Sequence, residues 1–79
     1  MQPSGSISAG AGGFLVTPND SADLAKPART LFVGGYGTVK ITTALGDTFV
    51  HPATEGYLTM EVTRVWATDT TATDIVAYY

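Results

Sequence analysis

Tyr57-Leu58-Thr59-Met60-Glu61-Val62-Thr63-Arg64-Val65-Trp66-Ala67 is the stretch that decides the fold. Leu58, Met60 and Val62 alternate with Thr59, Glu61 and Thr63. A period of two puts one set on a core face and the other in solvent, which is a half-buried strand. The alternation breaks at Arg64-Val65-Trp66, where apolar residues fall on both faces. A β-bulge, or a strand end covered on both sides, accounts for such a break. The parity of Arg64 puts it on the face of Leu58, Met60 and Val62.

Shorter strands surround this one. Phe14-Leu15-Val16-Thr17, closed by Pro18, reads as an edge strand or extended entry. Asn19 to Ala25 carries Asn, Asp and Ser that cap a turn or a single helical turn, and Pro27 stops any helix. Leu31-Phe32-Val33 is a buried-strand candidate. The Gly34-Gly35-Tyr36-Gly37 cluster leading into Val39-Lys40-Ile41-Thr42 predicts a hairpin, with Val39 and Ile41 inward and Thr38, Lys40 and Thr42 outward. Gly46-Asp47 marks a turn, Thr48-Phe49-Val50 a strand ended by Pro52, and Asp69 to Ala72 another turn. Asp74 to Tyr79 closes the chain as a strand apolar on both faces, which predicts that both are covered. Composition agrees: 13 Thr, 7 Val and 3 Ile stand beside eight aromatics in 79 residues, and such residues favour pleated sheets. The fold class is therefore all-β, a small antiparallel β-sandwich or barrel.

Residues 1 to 13 form a separate Gly/Ser-rich arm ahead of a single β domain over residues 14 to 79. The arm holds four Gly, three Ser and one branched aliphatic, Ile7. It cannot bury enough to offset its ordering cost, so it is expected to be flexible alone. It is either a disordered tail or an assembly arm that orders against a partner.

The composition excludes several function classes. Eleven residues are charged and the net charge is -3, so no cationic footprint for nucleic acid or an anionic membrane surface exists. No apolar run approaches the ~20 residues of a membrane helix, and the N-terminus lacks a signal-peptide pattern, which predicts a soluble protein made and kept in the cytosol, or assembled there. There is no Cys and one His, His51, so neither disulfides nor a zinc site is expected. Every Ser lies at or before Ser21, away from the strand scaffold that could hold a nucleophile. Asp20, Asp23, Asp69 and Asp74 read as turn caps, since no dense oxygen-rich loop of the calcium type surrounds them. The glycine cluster lacks the G-x-G-x-x-G spacing of a phosphate loop. No enzyme and no cofactor is expected.

Size points instead to association. A domain of about 60 residues buries only about 60% of its unfolded surface and is marginal alone. Without disulfides, self-association is the remaining staple, and a homo-oligomer is expected. Trp and Tyr are enriched at interfaces, so Phe14, Trp66, Tyr78 and Tyr79 are the candidate subunit-interface residues. Arg64 joins them as one half of an intersubunit ion pair, or else its stem packs on apolar surface while its head reaches water. A second reading makes Tyr36, Tyr57, Trp66, Tyr78 and Tyr79 stacking platforms of a carbohydrate- or receptor-binding β module.

Several stretches in this order carry a family resemblance: Thr17 to Ala25, Arg29-Thr30-Leu31-Phe32-Val33-Gly34-Gly35, Val39-Lys40-Ile41-Thr42, Gly46-Asp47-Thr48, and Arg64 to Tyr78. The chain from Phe14 to Tyr79 resembles the small spike base proteins of tailed phages, prophages and gene transfer agents. The closing Arg-Val-x-Ala-Thr-x-Thr-Thr-Ala-Thr-x-Ile-Val-Ala run is its most distinctive part. Asp69 stands where these proteins more often carry Gly, and His51 to Met60 lacks their usual Val-Pro-x-Gly turn. The resemblance implies a non-enzymatic virion protein, an oligomeric head spike base or capsid decoration protein that binds the capsid and supports a fibre or spike. Its implied partners are itself, as a cyclic trimer or pentamer, the major capsid protein, and a fibre or spike protein. Its implied location is the virion, assembled in the bacterial host cytoplasm.

Overall fold

The computed structural model describes residues 12–54 and 56–79. Six strands make up the fold: β1 (Gly13–Leu15), β2 (Ala28–Gly35), β3 (Gly37–Thr43), β4 (Thr48–Ala53), β5 (Gly56–Val65) and β6 (Thr73–Tyr78). All belong to one antiparallel sheet in the order β1-β6-β2-β5-β3-β4. The expected all-β class holds, realised as a single open sheet with β1 and β4 at its edges.

The connection between β2 and β3 shows how that sheet is shaped. The two strands flank β5 on opposite sides and run in the same direction. A single residue, Tyr36, nevertheless joins the end of one to the start of the other. Only a sheet curled on itself brings those ends together. The hairpin expected at Gly34 to Gly37 is therefore a corner instead, because β2 and β3 do not pair with each other. The hairpin lies one strand later, between β3 and β4, with its turn at Ala44 to Gly46. Nor do Gly35 and Gly37 serve the corner through positive φ. A Cβ on Gly35 would strike Thr73 Oγ1, and one on Gly37 would strike Thr71 Oγ1 and, at 2.8 Å, the Ala72 nitrogen. Close approach of two chain segments is what requires glycine there.

The curled inner face holds the core. Leu31, Val33, Val39, Ile41, Val62, Val65, Ile75 and Ala77 are buried, with Ala28, Ala53 and Ala72 between them. Val39 and Ile41 are inward as expected, while Thr38, Lys40 and Thr42 are half-buried on the other side. Phe14, Val16, Leu24, Leu58 and Met60 close the rim. No helix forms in the described part of the Asn19–Ala25 segment. Asn19 Oδ1 instead accepts from the Ser21 and Ala22 backbone N–H groups, and the segment crosses the β5 edge through Asn19 N–H to Val65 O and Leu24 N–H to Thr63 O.

Two irregularities shape β5. Thr42 opposes Arg64 while Thr43 opposes Val62, leaving Thr63 as the extra residue of a bulge. The bulge shifts the parity of the residues after it, so Val65 is buried and Arg64 turns outward. The simple count that put Arg64 on the core face is corrected by that one residue. A second shift lies opposite Arg29, between the Ala28–Val62 and Thr30–Thr59 pairs. Pro52 does not end β4, which continues to Ala53. An edge strand tolerates proline, because the missing N–H faces no partner.

Residues 1 to 11 of the expected arm lie outside the described residues. Its last two residues are held: Gly12 exchanges backbone hydrogen bonds with Tyr79, and Gly13 pairs with Tyr78.

Candidate interaction surface

Register brings together residues that are far apart in sequence. Leu15 lies opposite Val76, Val76 opposite Phe32, and Phe32 opposite Tyr57. These four make one apolar row across β1, β6, β2 and β5, on the face away from the core. The neighbouring inner row, Phe14, Ala77, Leu31 and Leu58, packs into the interior. On the outer face the Phe32 and Tyr57 rings lie 5.2 Å apart, and Tyr57 and Tyr78 lie 6.4 Å apart. Leu15 is 78% exposed and Tyr57 70%. Neither these four nor Tyr78 beside them is charged, on a face where a lone antiparallel sheet normally presents polar residues to water.

A second apolar surface sits on the β3–β4 hairpin. Leu45 at its turn is 91% exposed, and Phe49 and Val50 on β4 are also exposed. Phe49 pairs with buried Ile41, so the core face runs on past its own edge into the open. Leu45, Phe49, Met60 and Glu61 line an open cleft there of about 540 Å³.

The candidate interface residues fall into three groups. Phe14 and Tyr79 form one, with ring centroids 5.9 Å apart and the Lys26 ammonium 4.8 Å from the Tyr79 ring. Tyr78 belongs to the outer apolar face. Arg64 and Trp66 form the third, far from the first two along the strand order. Trp66 donates Nε1–H to Thr42 Oγ1 at 2.9 Å, and Lys40 and Arg64 sit 4.8 and 4.9 Å from its ring. Arg64 reaches Asp23 of its own chain at 2.9 Å and donates to the Asp20 carbonyl. A pair this exposed contributes only about 0–1 kcal/mol. Sequence reading treated Phe32 as core and left Leu15, Leu45, Phe49 and Val76 unremarked as surface. The one available signal was the final strand, apolar on both faces.

Asp20 ties this third group down. Its Oδ1 accepts from the Ala67 and Thr68 backbone N–H groups at 2.8 and 2.9 Å, and its Oδ2 accepts from Thr68 Oγ1–H at 2.6 Å. The Thr68 hydroxyl and then its N–H are the main reasons the Asp20 carboxyl titrates below its ordinary value, with Ala67 N–H and the Lys40 charge adding to them. The expected turn cap is thus real, but the turn it caps is 47 residues away in sequence. Thr38, Thr70 and Thr71 fasten the same loop to β3 through Thr38 N–H to Thr71 Oγ1 and Lys40 N–H to Thr70 Oγ1, both 2.9 Å. Among the described residues no three His, Asp or Glu side chains converge as metal ligands.

Neither the family models nor the curated proteins contain a match to this chain. Among solved structures, one similar chain belongs to the "Capsid of native GTA particle computed with C5 symmetry". It is 35% identical, covers 89% of this chain and 83% of its own, and superposes with a TM-score of 0.80. A single curled sheet with apolar outer surfaces and no convergent reactive side chains among the described residues thus finds its counterpart in a protein shell. The chain belongs to the family of that gene transfer agent capsid protein, a family of phage-like head proteins.

Proposed function

We propose that this chain is a non-enzymatic structural protein of a phage-like particle, an oligomeric head spike base or capsid decoration protein. It binds the major capsid protein and supports a fibre or spike, acting by binding alone in a virion assembled in the bacterial host cytoplasm. The observation that carries this reading is the 35% identity to a gene transfer agent capsid chain over 89% of this one. Copies of the chain associate with one another as a cyclic trimer or pentamer. The rival reading as a glycan-binding module loses its best platform, because the Trp66 ring is already flanked by Lys40 and Arg64.

The test is attachment. Particles prepared without this chain are mixed with purified protein and sedimented. Saturable co-sedimentation, with fibre or spike protein retained only on decorated particles, is the expected result. Free protein that stays in the supernatant at micromolar concentration would reject the capsid-binding role.

A further inference from the structure

We propose that the segment ahead of Gly12 is a strap of its own chain. It folds back across the open end of the curled sheet and seats Ile7 in the cleft between Leu45, Phe49 and Met60. The occupant is residues 7–11, Ile7-Ser8-Ala9-Gly10-Ala11, which lie outside the described residues.

The point at which the segment joins the sheet is the first observation. Gly12 N–H donates to Tyr79 O at 3.1 Å and Tyr79 N–H to Gly12 O at 2.9 Å. The Tyr79 ring lies so close over Gly12 that a Cβ there would meet it at 2.6 Å. Gly12, Tyr79 and Arg29 are each two residues from Phe14, Ala77 and Leu31, so period two places them on the core face. One row therefore crosses the sheet from this point. It runs through Tyr79 and Arg29 to Met60 and Glu61 at the register shift, then to Ala44, whose N–H donates to Glu61 O at 3.0 Å.

The same row is grooved along its length. Tyr79, Arg29 and Glu61 border one depression, and Arg29, Met60 and Glu61 border the next. Met60 and Glu61 then share the cleft of Leu45 and Phe49. These common walls make one continuous groove that begins at the partner of Gly12 and ends on exposed apolar side chains.

Reach fits the distance. Ile7 stands five residues ahead of Gly12, which spans about 17–18 Å at ~3.3–3.6 Å per residue. From β1 to β3 is four steps in the strand order, about 19 Å at ~4.8 Å each. Ile7, the one branched aliphatic residue of the segment, thus arrives between β5 and β3, where the groove turns apolar. Ser8 to Ala11 are small enough to lie flat along the stretch before it. Lys26, Arg29, Asp47 and Glu61 give the groove charges of both signs, and residues 7–11 carry none, so no like charges meet.

The chain has no cysteine, so a pair introduced into the full chain reports proximity without background. Ile7→Cys combined with Leu45→Cys is compared with Ile7→Cys combined with Leu15→Cys. Leu45 and Leu15 are 91% and 78% exposed, so neither change removes core packing. Disulfide formation in a glutathione buffer is followed on non-reducing denaturing gels, where mass separates links within a chain from links between chains. In an unattached segment the shorter loop closes more readily. Leu15, eight residues from Ile7, would then lead Leu45, thirty-eight residues away. A strap reverses that order: the link to Leu45 is expected to form about tenfold faster, because the held segment raises the effective concentration of one thiol at the other. Equal rates, or a faster link to Leu15, overturn the strap. Links between two chains in the Leu45 variant make a second copy the occupant and overturn it as well. Particle attachment plays no part in this readout, so the strap and the capsid-binding role fail separately.

Discussion

Asp20 is where one side chain holds two distant segments, and its acid titration has a defined sign. Its folded pKa lies below the ordinary carboxylate value because Thr68 and Ala67 donate to the ionised form. A depressed folded pKa means that the stabilisation is present above the unfolded value and is lost as pH falls through the folded one. Asp20→Asn is expected to lower Tm at neutral pH and to flatten the decline of Tm between about pH 5 and pH 2, as scanning calorimetry across that range would read. Unchanged Tm curves would show that the loop holds without the carboxylate. Asp69 makes the opposite case. Its φ is 65°, the left-handed region in which an L side chain is strained. Only its backbone carbonyl is used, by the Thr38 hydroxyl at 2.8 Å. Asp69→Gly is expected to stabilise by about 0.5 kcal/mol, the relieved strain exceeding the added unfolded-state entropy. A urea midpoint that rises with unchanged slope would confirm it.

Among the elements, the β2–β3 corner is the most sensitive to volume. Gly37→Ala drives a methyl into Thr71 and the Ala72 backbone, and overpacking of this kind costs about 1–3 kcal/mol. Denaturant unfolding of the variant checks this, and a loss below the lower figure would mean that the corner yields. The same corner shows why part of the fold was readable from sequence and part was not. Val39 and Ile41 alternate with polar neighbours, so their inward orientation follows from period two alone. Glycine density at 34 to 37 signals a change of direction, but whether the strands then pair is decided by β5, some twenty residues further on. Arg64 illustrates the same limit. The break in pattern at 64–66 announced an irregularity, but its placement at Thr63, which sends Arg64 outward to Asp23, depends on register with Thr42 and Thr43. The outer row is the extreme case, since its four members come from four strands. Local sequence held only the hint of a final strand apolar on both faces.

At the level of the whole molecule, the interior is thin. Ala28, Ala53, Ala72 and Ala77 supply part of the core, and its largest fully buried side chains are aliphatic, with Leu31 and Ile41 at the head. Ile41→Ala, at a fully buried site, is expected to cost about 2–5 kcal/mol, a large share of the roughly 5–15 kcal/mol available to an ordinary domain. Thermal unfolding would show this as a loss of the cooperative transition at 37 °C or a steep fall in Tm. If copies complete one another's packing, association and folding are linked, and the wild-type Tm rises with protein concentration. A Tm constant over a hundredfold dilution would separate the two.

The edge proline, Pro52, has a consequence for how such a chain is kept before use. A capsid protein is made in many copies that accumulate side by side, and an open sheet offers its free margins as templates for endless strand addition. Here one margin, β1, is three residues long and the other carries a residue with no N–H to give. Both margins are poor seeds for fibrils, which leaves side-chain recognition as the route by which stored subunits find one another.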